Sequence, residues 1–356
     1  MGLLRIYLAL SVMFSHIGTV KWLPAVPADF AVNMFFVMSG FYISLGLNER
    51  YRTSADNREF YLGRALRLWP TYLFSLAILI PTGFLAATIH QILALPRLMM
   101  AIAIFSNLFI VGTDWLLHIS AFDGAIHFSE FGIDKAHNGV SAILNLPAWT
   151  LSIEILFYLL APFIVRSFRR SVAFFSVGVV YLFCVNHYSA YLPPLRTDLY
   201  FPGPTFYFGL GAVGYWVHRV FPASRVRNLW VFPVIFLMVV QALHLTPGAV
   251  ALFAVAMLAK PAFEICRYSK VDQWFGDLSY PLYITHLPTT ILVRSLGLFA
   301  ATTDSYFLSI VFVTLVAVYM VEKPIDRFRS SRRRRKQLNR KVASPDSQPL
   351  PRDNAE

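Results

Sequence analysis

Residues 3–20 read LLRIYLALSVMFSHIGTV, an apolar run that is long enough to cross a bilayer as a helix. Arg5 lies near its start, and His16 follows eleven residues later. Eleven residues turn a helix through about 1100°, so both side chains return to nearly the same face, about 16 Å apart along the axis. Ionisable groups inside a membrane are costly and usually face a cavity or a partner. The run therefore predicts either a polar path deep into the bilayer or a core histidine bonded to a neighbouring helix.

The composition places the chain among polytopic membrane proteins of the all-α class. Hydrophobic residues make up 57% of its 356 residues and charged residues only 14%, against about 25% charged residues in a typical soluble domain. The net charge of +12 is concentrated in loops and in the tail, which indicates positive-inside topology and no nucleic-acid partner. Two cysteines in or beside apolar segments predict no disulfide framework.

We predict about ten transmembrane helices with both termini in the cytoplasm, because this count leaves every basic loop on the cytoplasmic side. The expected spans are 3–20, 30–47, 68–89, 147–165, 171–187, 203–217, 229–244, 247–263, 275–296 and 304–321. Residues 97–118 are apolar enough to span, but a span there would place the basic loop 166–170 outside. We therefore expect 97–118 to be re-entrant or interfacial, with the loop 113–146 outside.

The chain divides into a membrane domain and a tail. Residues 1–328 are expected to form the transmembrane domain, with the first apolar run retained because it lacks a small-residue cleavage site. Residues 329–356 are basic, then polar and proline-containing, and are expected to be a disordered cytoplasmic tail.

Paired arginines and small residues mark two of the polar clusters. Arg64 and Arg67, at i and i+3 near the inner end of the third span, share a helix face. They are typical of a phosphate-binding fork or of ordinary positive-inside anchoring. In AVNMFFVMSGFYI (31–43), Asn33 is expected near the outer end of the second span. The pair Ser39 and Gly40 indicates close helix packing.

A carboxylate and a second histidine mark the other two clusters. Glu154 is expected about 10 Å into its span from the outside, where it acts on a substrate or forms a structural ion pair. Tyr280, Tyr283 and His286 are spaced three residues apart on one face, with Tyr283 expected to be a core aromatic. His286 would lie about 12 Å above the inner edge if its helix began near Leu278. No HExxH, CxxC, GxSxG or Walker motif is present, and no metal is predicted.

Six segments occur in the order typical of one family and together cover Leu3 to Phe328. They are LRIYLALSVMFSH with Arg5-x10-His16, VNMFFVMSGF (32–41), FYLGRALRLWP (60–70), PAWTLSIEILFYLLAP (147–162), GDLSYPLYITHLP (276–288) and VEKPIDRF (321–328). On these segments the chain resembles the integral-membrane acyltransferase-3 family, in the form of a stand-alone membrane domain. Two positions depart from the family pattern. Ala31 stands where glycine is frequent, and Asn33 stands where aspartate is frequent, so no acid–base role is expected of position 33.

The resemblance implies a multi-pass O-acyltransferase of the bacterial inner (cytoplasmic) membrane. Such enzymes move acetyl from cytosolic acetyl-CoA, used as a co-substrate without a metal, to a hydroxyl of a surface or secreted glycan or glycolipid. It also implies that Arg5, His16, Arg64, Arg67 and Glu154 are functionally important.

With these roles, Arg64 and Arg67 are expected to bind CoA, and His16 is expected to act as general base. Glu154 would orient the imidazolium or bind the sugar, and Arg5 would hold CoA or stabilise the thioester oxyanion. His286, Tyr280 and Asn33 are possible substrate-orienting residues. A succinyl or longer acyl donor is an alternative within the enzyme class. A transporter or flippase of a lipid-linked or anionic substrate is the alternative from another class, which would predict an inverted repeat or paired broken helices.

Overall fold

The computed structural model describes residues 1–19, 23–122, 125–128, 138–188, 199–220, 248–298 and 302–342. These residues are nearly all helical. The helices are α1 Gly2–Ile17, α2 Ala28–Leu45, α3 Asn57–Ala77, α4 Phe84–Ala94, α5 Arg97–Phe109, α6 Thr113–Leu116, α7 Ala148–Ile164, α8 Phe168–His187, α9 Thr205–Val220, α10 Gly248–Cys266, α11 Lys270–Leu296, α12 Thr303–Ala317 and α13 Lys323–Val342. Single turns of 3₁₀-helix lie at Ser54–Asp56, Ile80–Thr82 and Gly139–Ala142, and π turns at Gly46–Arg50 and Val318–Glu322.

Four helical stretches of the described chain are long and apolar enough to cross a membrane. They are Ala28–Arg50, Ser54–Thr82, Phe168–His187 and Thr303–Arg332. Shorter apolar helices include α1 and α7, at 16 and 17 residues. The predicted count of ten spans is therefore not confirmed by length and composition, and the predicted span 229–244 lies outside the described residues.

The predicted span 68–89 is wrong in both of its boundaries. Its helix, α3, begins at Asn57, well before the predicted start at residue 68. At the other end the chain leaves the α-helix after Ala77 and passes through a 3₁₀ turn that contains Pro81. Gly83 then adopts the left-handed conformation, with φ 72°, before α4 begins. Proline and a left-handed glycine together end the helix.

The segment 78–147 leaves the bundle and returns at the same end of it. Helices α3 and α7 run antiparallel, because the Tyr61 hydroxyl near the start of α3 donates to the Leu159 carbonyl near the end of α7. Between them, α5 has 13 residues and is therefore about 20 Å long, which is short of the roughly 30 Å bilayer core. The prediction that residues 97–118 are re-entrant or interfacial stays a prediction.

This segment also has a small core of its own and a β-hairpin that the sequence reading did not predict. Strands β1 Ile119–Phe122 and β2 Ala125–Phe128 pair antiparallel, with Ile119 opposite Phe128. Buried residues of the segment form a separate hydrophobic cluster that includes Met99, Leu116 and Ile143. The fold class is thus nearly all-α. The described residues of this segment pack around their own hydrophobic cluster at one end of the bundle.

Small residues bring the central helices into contact. A Cβ atom added at Gly40 of α2 would lie 2.1 Å from the carbonyl oxygen of Phe208 in α9. One added at Gly211 of α9 would lie 1.9 Å from the carbonyl oxygen of Val37. Any larger side chain at either position would force the helices apart. The prediction that Gly40 serves close helix packing is therefore confirmed.

The last helix extends beyond the predicted end of the membrane domain. The expected boundary at Phe328 falls inside α13, which continues to Val342. Arginine and lysine are good helix formers, and the helix is tied to α3 by an ion pair of 3.3 Å between Arg332 and Glu59. Residues 343–356 lie outside the described residues.

Candidate active site

A cavity of about 740 Å³ penetrates the helix bundle from one end. Its lining comes mainly from α1, α2, α3, α7 and α11. Glu49, Arg50 and Gln273 are lining residues with exposed side chains, so they mark its mouth. The first residues of the chain and the start of α11 lie at the same end. The cavity is within the size range of small-molecule binding sites.

Three of the predicted site residues, Arg5, Arg64 and Arg67, contribute their guanidinium groups to the wall of this cavity, which we call the arginine cavity. Arg64 is held between two aromatic rings, with its guanidinium carbon 5.7 Å from the ring centre of Phe60 and 5.6 Å from that of Tyr158. Its Nε atom is buried and has no hydrogen-bond partner among the described groups. Arg64 and Arg67 therefore share one face of α3, as their i, i+3 spacing predicted, and both line the same cavity.

Glu154 lies in the same wall and is held by two hydroxyl groups. Ser39 Oγ of α2 donates to one carboxylate oxygen at 2.8 Å, and the Tyr158 hydroxyl, one turn along α7, donates to the same oxygen. Arg5 and Arg67 are close enough to interact electrostatically with this carboxylate. Glu154 is thus a hydrogen-bonded counter-charge to the arginines, and its bonds lead away from His16.

Several wall residues were missed or misread in the sequence. Ser39 was assigned to helix packing, but it bonds Glu154. Tyr158 was not singled out, although its position four residues after Glu154 places it on the same helix face. Glu322 was also missed; it accepts a hydrogen bond of 2.5 Å from the Thr71 hydroxyl and lines the cavity. Nothing in the local sequence links Thr71 to a residue 251 positions away.

Tyr280 and Tyr283 both reach the cavity from α11. The Tyr280 hydroxyl donates to the backbone carbonyl of Leu68 at 2.7 Å, so it ties α11 to α3. Tyr283 is buried, as expected of a core aromatic, but its hydroxyl lies in hydrogen-bond contact with Thr150 Oγ of α7 at 3.0 Å. The prediction of a core aromatic is therefore confirmed for Tyr283, and its hydroxyl adds a polar contact to α7.

His16 and His286 form a separate pair. Their ring centres are 5.2 Å apart, and neither is among the described residues that line the arginine cavity. His16 is exposed and is the second-last residue of α1, which ends at Ile17. The first span was predicted to extend to Val20, but α1 ends one residue beyond His16. We call these two residues the histidine pair.

His286 is fully buried at a level that matches His16. The helix does not begin near Leu278, as the predicted height of 12 Å assumed, because α11 begins at Lys270 and His286 is about 24 Å along it. Its Nδ1 atom lies 2.6 Å from the Tyr283 carbonyl oxygen. In a neutral ring that nitrogen donates, and the Nε2 atom keeps a lone pair. Nε2 is buried with no hydrogen-bond partner in the described part of the chain.

The predicted site residues are thus divided between two places. The arginine cavity gathers Arg5, Arg64, Arg67, Glu154 and Tyr280, and the histidine pair lies apart. Asn33 is half-buried and is not among the described lining residues. The cavity lining from α2 includes Val32, Phe35, Phe36, Met38 and Ser39, but not Asn33.

The described residues contain no group of three or more His, Cys, Asp or Glu side chains that could hold a metal ion. The polar groups of the cavity are instead guanidiniums, hydroxyls and carboxylates. Such a set suits an anionic organic ligand, because guanidinium groups match phosphate geometry.

Comparison with known proteins identifies the family of this chain. The sequence model of the acyltransferase domain family Acyl_transf_3 matches residues 1–322. That match includes both the arginine cavity and the histidine pair. No curated protein and no solved structure matches the chain. A match over nine-tenths of the sequence, on a bundle of apolar helices, establishes that this chain is a membrane protein of the acyltransferase-3 family.

Proposed function

We propose that this protein is an O-acetyltransferase that moves acetyl from cytosolic acetyl-CoA to a hydroxyl of a surface or secreted glycan or glycolipid. The observation that carries the proposal is the arginine cavity, which opens at one end of the bundle and has the histidine pair beyond its inner end. An anionic donor entering from one side and an acceptor arriving from the other need this arrangement.

The donor binds through the arginines. CoA carries phosphate groups, and Arg64 and Arg67 present two guanidinium groups from one helix face. Arg5 lines the same cavity. It is about 16 Å along α1 from His16, so both cannot contact one thioester carbonyl. We therefore assign Arg5 to the donor anion, together with the other two arginines.

Glu154 holds the donor-binding groups of the cavity in position. It offsets part of the positive charge of Arg5 and Arg67 and fixes the Tyr158 hydroxyl. Tyr158 in turn supports the Arg64 guanidinium with its ring. An arginine held by packing loses less side-chain freedom when a phosphate binds. Glu154 and Tyr280 thus act as positioning residues for the donor.

His16 acts as the general base in the transfer step. The acceptor hydroxyl oxygen attacks the thioester carbonyl carbon, and its proton passes to the His16 imidazole. The new C–O bond forms and the C–S bond breaks, so CoA leaves as a thiolate. The thiolate takes up a proton to give the free thiol, and the product is an O-acetyl ester. His286, in ring contact with His16, orients the imidazole or the acceptor.

The expected location follows from the topology and the donor. Acetyl-CoA is cytosolic, so the mouth of the cavity and both termini face the cytoplasm of a bacterial inner membrane. The basic loops support this orientation. The partners are then the acyl-CoA donor, the glycan or glycolipid acceptor and the bilayer.

Mass spectrometry of the host's surface glycans tests the proposal directly. Glycans from cells that produce the protein should carry one additional acetyl group at a defined sugar, and cells without it should lack this group. Cells producing the His16→Ala variant serve as the matched control, because the protein is inserted but lacks the base. Identical glycan masses in all three samples would refute the proposal, and a succinyl difference would correct the donor.

A further inference from the structure

One aromatic side chain lies between the two halves of the site. Tyr283 lines the arginine cavity, and its ring also meets the ring of His286 edge-on, at 6.0 Å between centres. Its backbone carbonyl accepts from His286 Nδ1 at 2.6 Å. Tyr283 therefore contacts the cavity on one side and the histidine pair on the other.

Three helices hold this side chain in place. Thr150 of α7 meets its hydroxyl at 3.0 Å, and Phe35 of α2 packs edge-on against its ring at 6.1 Å between centres. Thr150 Oγ also lies 3.0 Å from the Pro147 carbonyl oxygen, which fixes the threonine. Thr150 and Phe35 both line the arginine cavity. The contact between Tyr283 and Thr150 thus spans the end of the cavity nearest the histidines.

The position of Tyr283 between the donor cavity and His16 affects the transfer step. The His16 side chain is exposed at the end of α1, whereas the thioester is delivered on the cavity side. Without a barrier, water would compete with the acceptor for the thioester carbonyl. A side chain that can change rotamer is able to separate the two spaces at rest and to admit the acyl group when the acceptor is bound.

We propose that Tyr283, held by its hydrogen bond to Thr150, is the partition that separates the donor thioester from the outer solvent and positions it below the histidine pair. This inference rests on the proposed acetyl transfer. When the partition fails, a water oxygen forms the bond to the acyl carbon and the C–S bond breaks. The products are then acetic acid and the CoA thiol instead of an acetylated acceptor.

The hydrogen bond is weak enough to open and specific enough to test. Loss of a neutral hydrogen bond should change the ratio of closed to open Tyr283 side chains by about fivefold. Proline at 281 and 288 flanks Tyr283 and His286 inside α11, and proline removes a backbone hydrogen bond from a helix. The helix is therefore less constrained at this level than elsewhere.

The test uses inverted membrane vesicles from the host, which expose the cytoplasmic face and contain the native acceptor. Acetyl-CoA labelled in its acetyl group is added, and the label is measured as free acetate and as glycan ester. Vesicles without the protein give the background. The ratio of acetate to ester is the readout, because a merely structural loss lowers both products together.

Tyr283→Phe and Thr150→Val each remove one side of the hydrogen bond and should raise the ratio by a similar factor, about fivefold. Tyr283→Ala removes the ring as well and should raise it further. Tyr72→Phe is the matched control, because its buried hydroxyl donates to the Asn107 carbonyl at 3.0 Å away from the cavity. It should leave the ratio unchanged.

Two results would overturn the partition. One is a wild-type ratio in all three variants while ester is still formed. The other is a changed ratio in Tyr283→Phe with a wild-type ratio in Thr150→Val, which would mean that the tyrosine hydroxyl acts on the reactants. If the wild-type vesicles form no labelled ester at all, the proposed acetyl transfer itself has failed, and this outcome is distinct from the other two.

Discussion

The arginine cavity and the histidine pair differ in almost every physical respect. The cavity is a space of about 740 Å³ with a mouth of exposed side chains, and hydrogen bonds and ring contacts hold its polar groups. The histidine pair has one exposed ring and one fully buried ring, and the buried ring keeps an unpartnered nitrogen among the described groups. The first region is built to hold charge, and the second is built to leave a nitrogen available.

This difference divides the proposed work between the two regions. Guanidinium groups keep their charge and suit binding, whereas an imidazole changes its protonation near neutral pH and suits proton transfer. Variants in the cavity should therefore alter the dependence on donor concentration. Variants in the histidine pair should alter the rate at saturating donor and leave donor affinity intact.

The largest expected effect is at His16. A general base contributes about 10²–10⁴-fold to a rate, so His16→Ala should nearly abolish glycan acetylation and leave CoA affinity unchanged. His16→Gln separates a base from a structural group, because glutamine keeps one hydrogen bond but does not accept a proton. The measurements are acetyl ester on glycans and CoA binding to purified protein. Near-normal acetylation by properly inserted His16→Gln would show that His16 is structural and would shift the role to His286.

The next effect concerns donor affinity in the cavity. Arg64→Lys keeps the charge but loses the planar group that packs between Phe60 and Tyr158, so CoA affinity should fall by about tenfold. The fall should be similar at low and at high salt, because the charge is kept and salt screens both side chains alike. Arg332→Lys is the matched control, since it lies on α13 and pairs with Glu59. Unchanged CoA affinity in Arg64→Ala and Arg67→Ala would make both arginines topology signals only.

A smaller effect is expected at Ser39, whose neutral hydroxyl is one of two groups that hold Glu154 in the cavity wall. Ser39→Ala removes the 2.8 Å hydrogen bond to Glu154 but leaves the bond from Tyr158. Donor affinity should fall by up to about tenfold, since one hydrogen bond to a charged group is lost. When acetyl-CoA is titrated in the vesicle assay, Ser39→Ala should show a higher KM than wild type and a kcat near the wild-type value. A fall in kcat with constant KM would place Ser39 with the histidine pair and break the division.

The cavity was the part of the site that the sequence predicted best. Arg64 and Arg67 are three residues apart on one helix, and Glu154 is a carboxylate in an apolar run, so local spacing and the cost of buried charge were enough. The same holds for the helical class and for Gly40, where a small residue reports a close approach. These signals are local, and they survive errors in helix boundaries.

The parts that failed depend on where helices begin and end. The predicted bounds of these helices differ from the observed ones, because α1 stops at Ile17 and α11 starts at Lys270. The contact between the His16 and His286 rings depends on how α1 and α11 are aligned along their axes. Thr71 with Glu322 depends on contacts between distant segments that no periodicity records. Tyr283 looked like a core aromatic because burial, which was foreseen, does not reveal what the hydroxyl touches.

The smallest effect is expected at Asn33, and it tests the structure against the sequence pattern. The sequence suggested that Asn33 orients substrate, but Asn33 is not among the described residues that line the cavity. Asn33→Ala should therefore keep the acetate-to-ester ratio, KM and kcat within about twofold of wild type, in the range of substitutions away from a functional contact. Asn33→Asp adds a second condition, since it restores the residue that is frequent in the family. If the carboxylate raises the transfer rate and alanine lowers it by tenfold or more, position 33 belongs to the acceptor side of the reaction. The histidine pair would then be one part of a larger outer site, and the division between the two regions would have to be redrawn around α2.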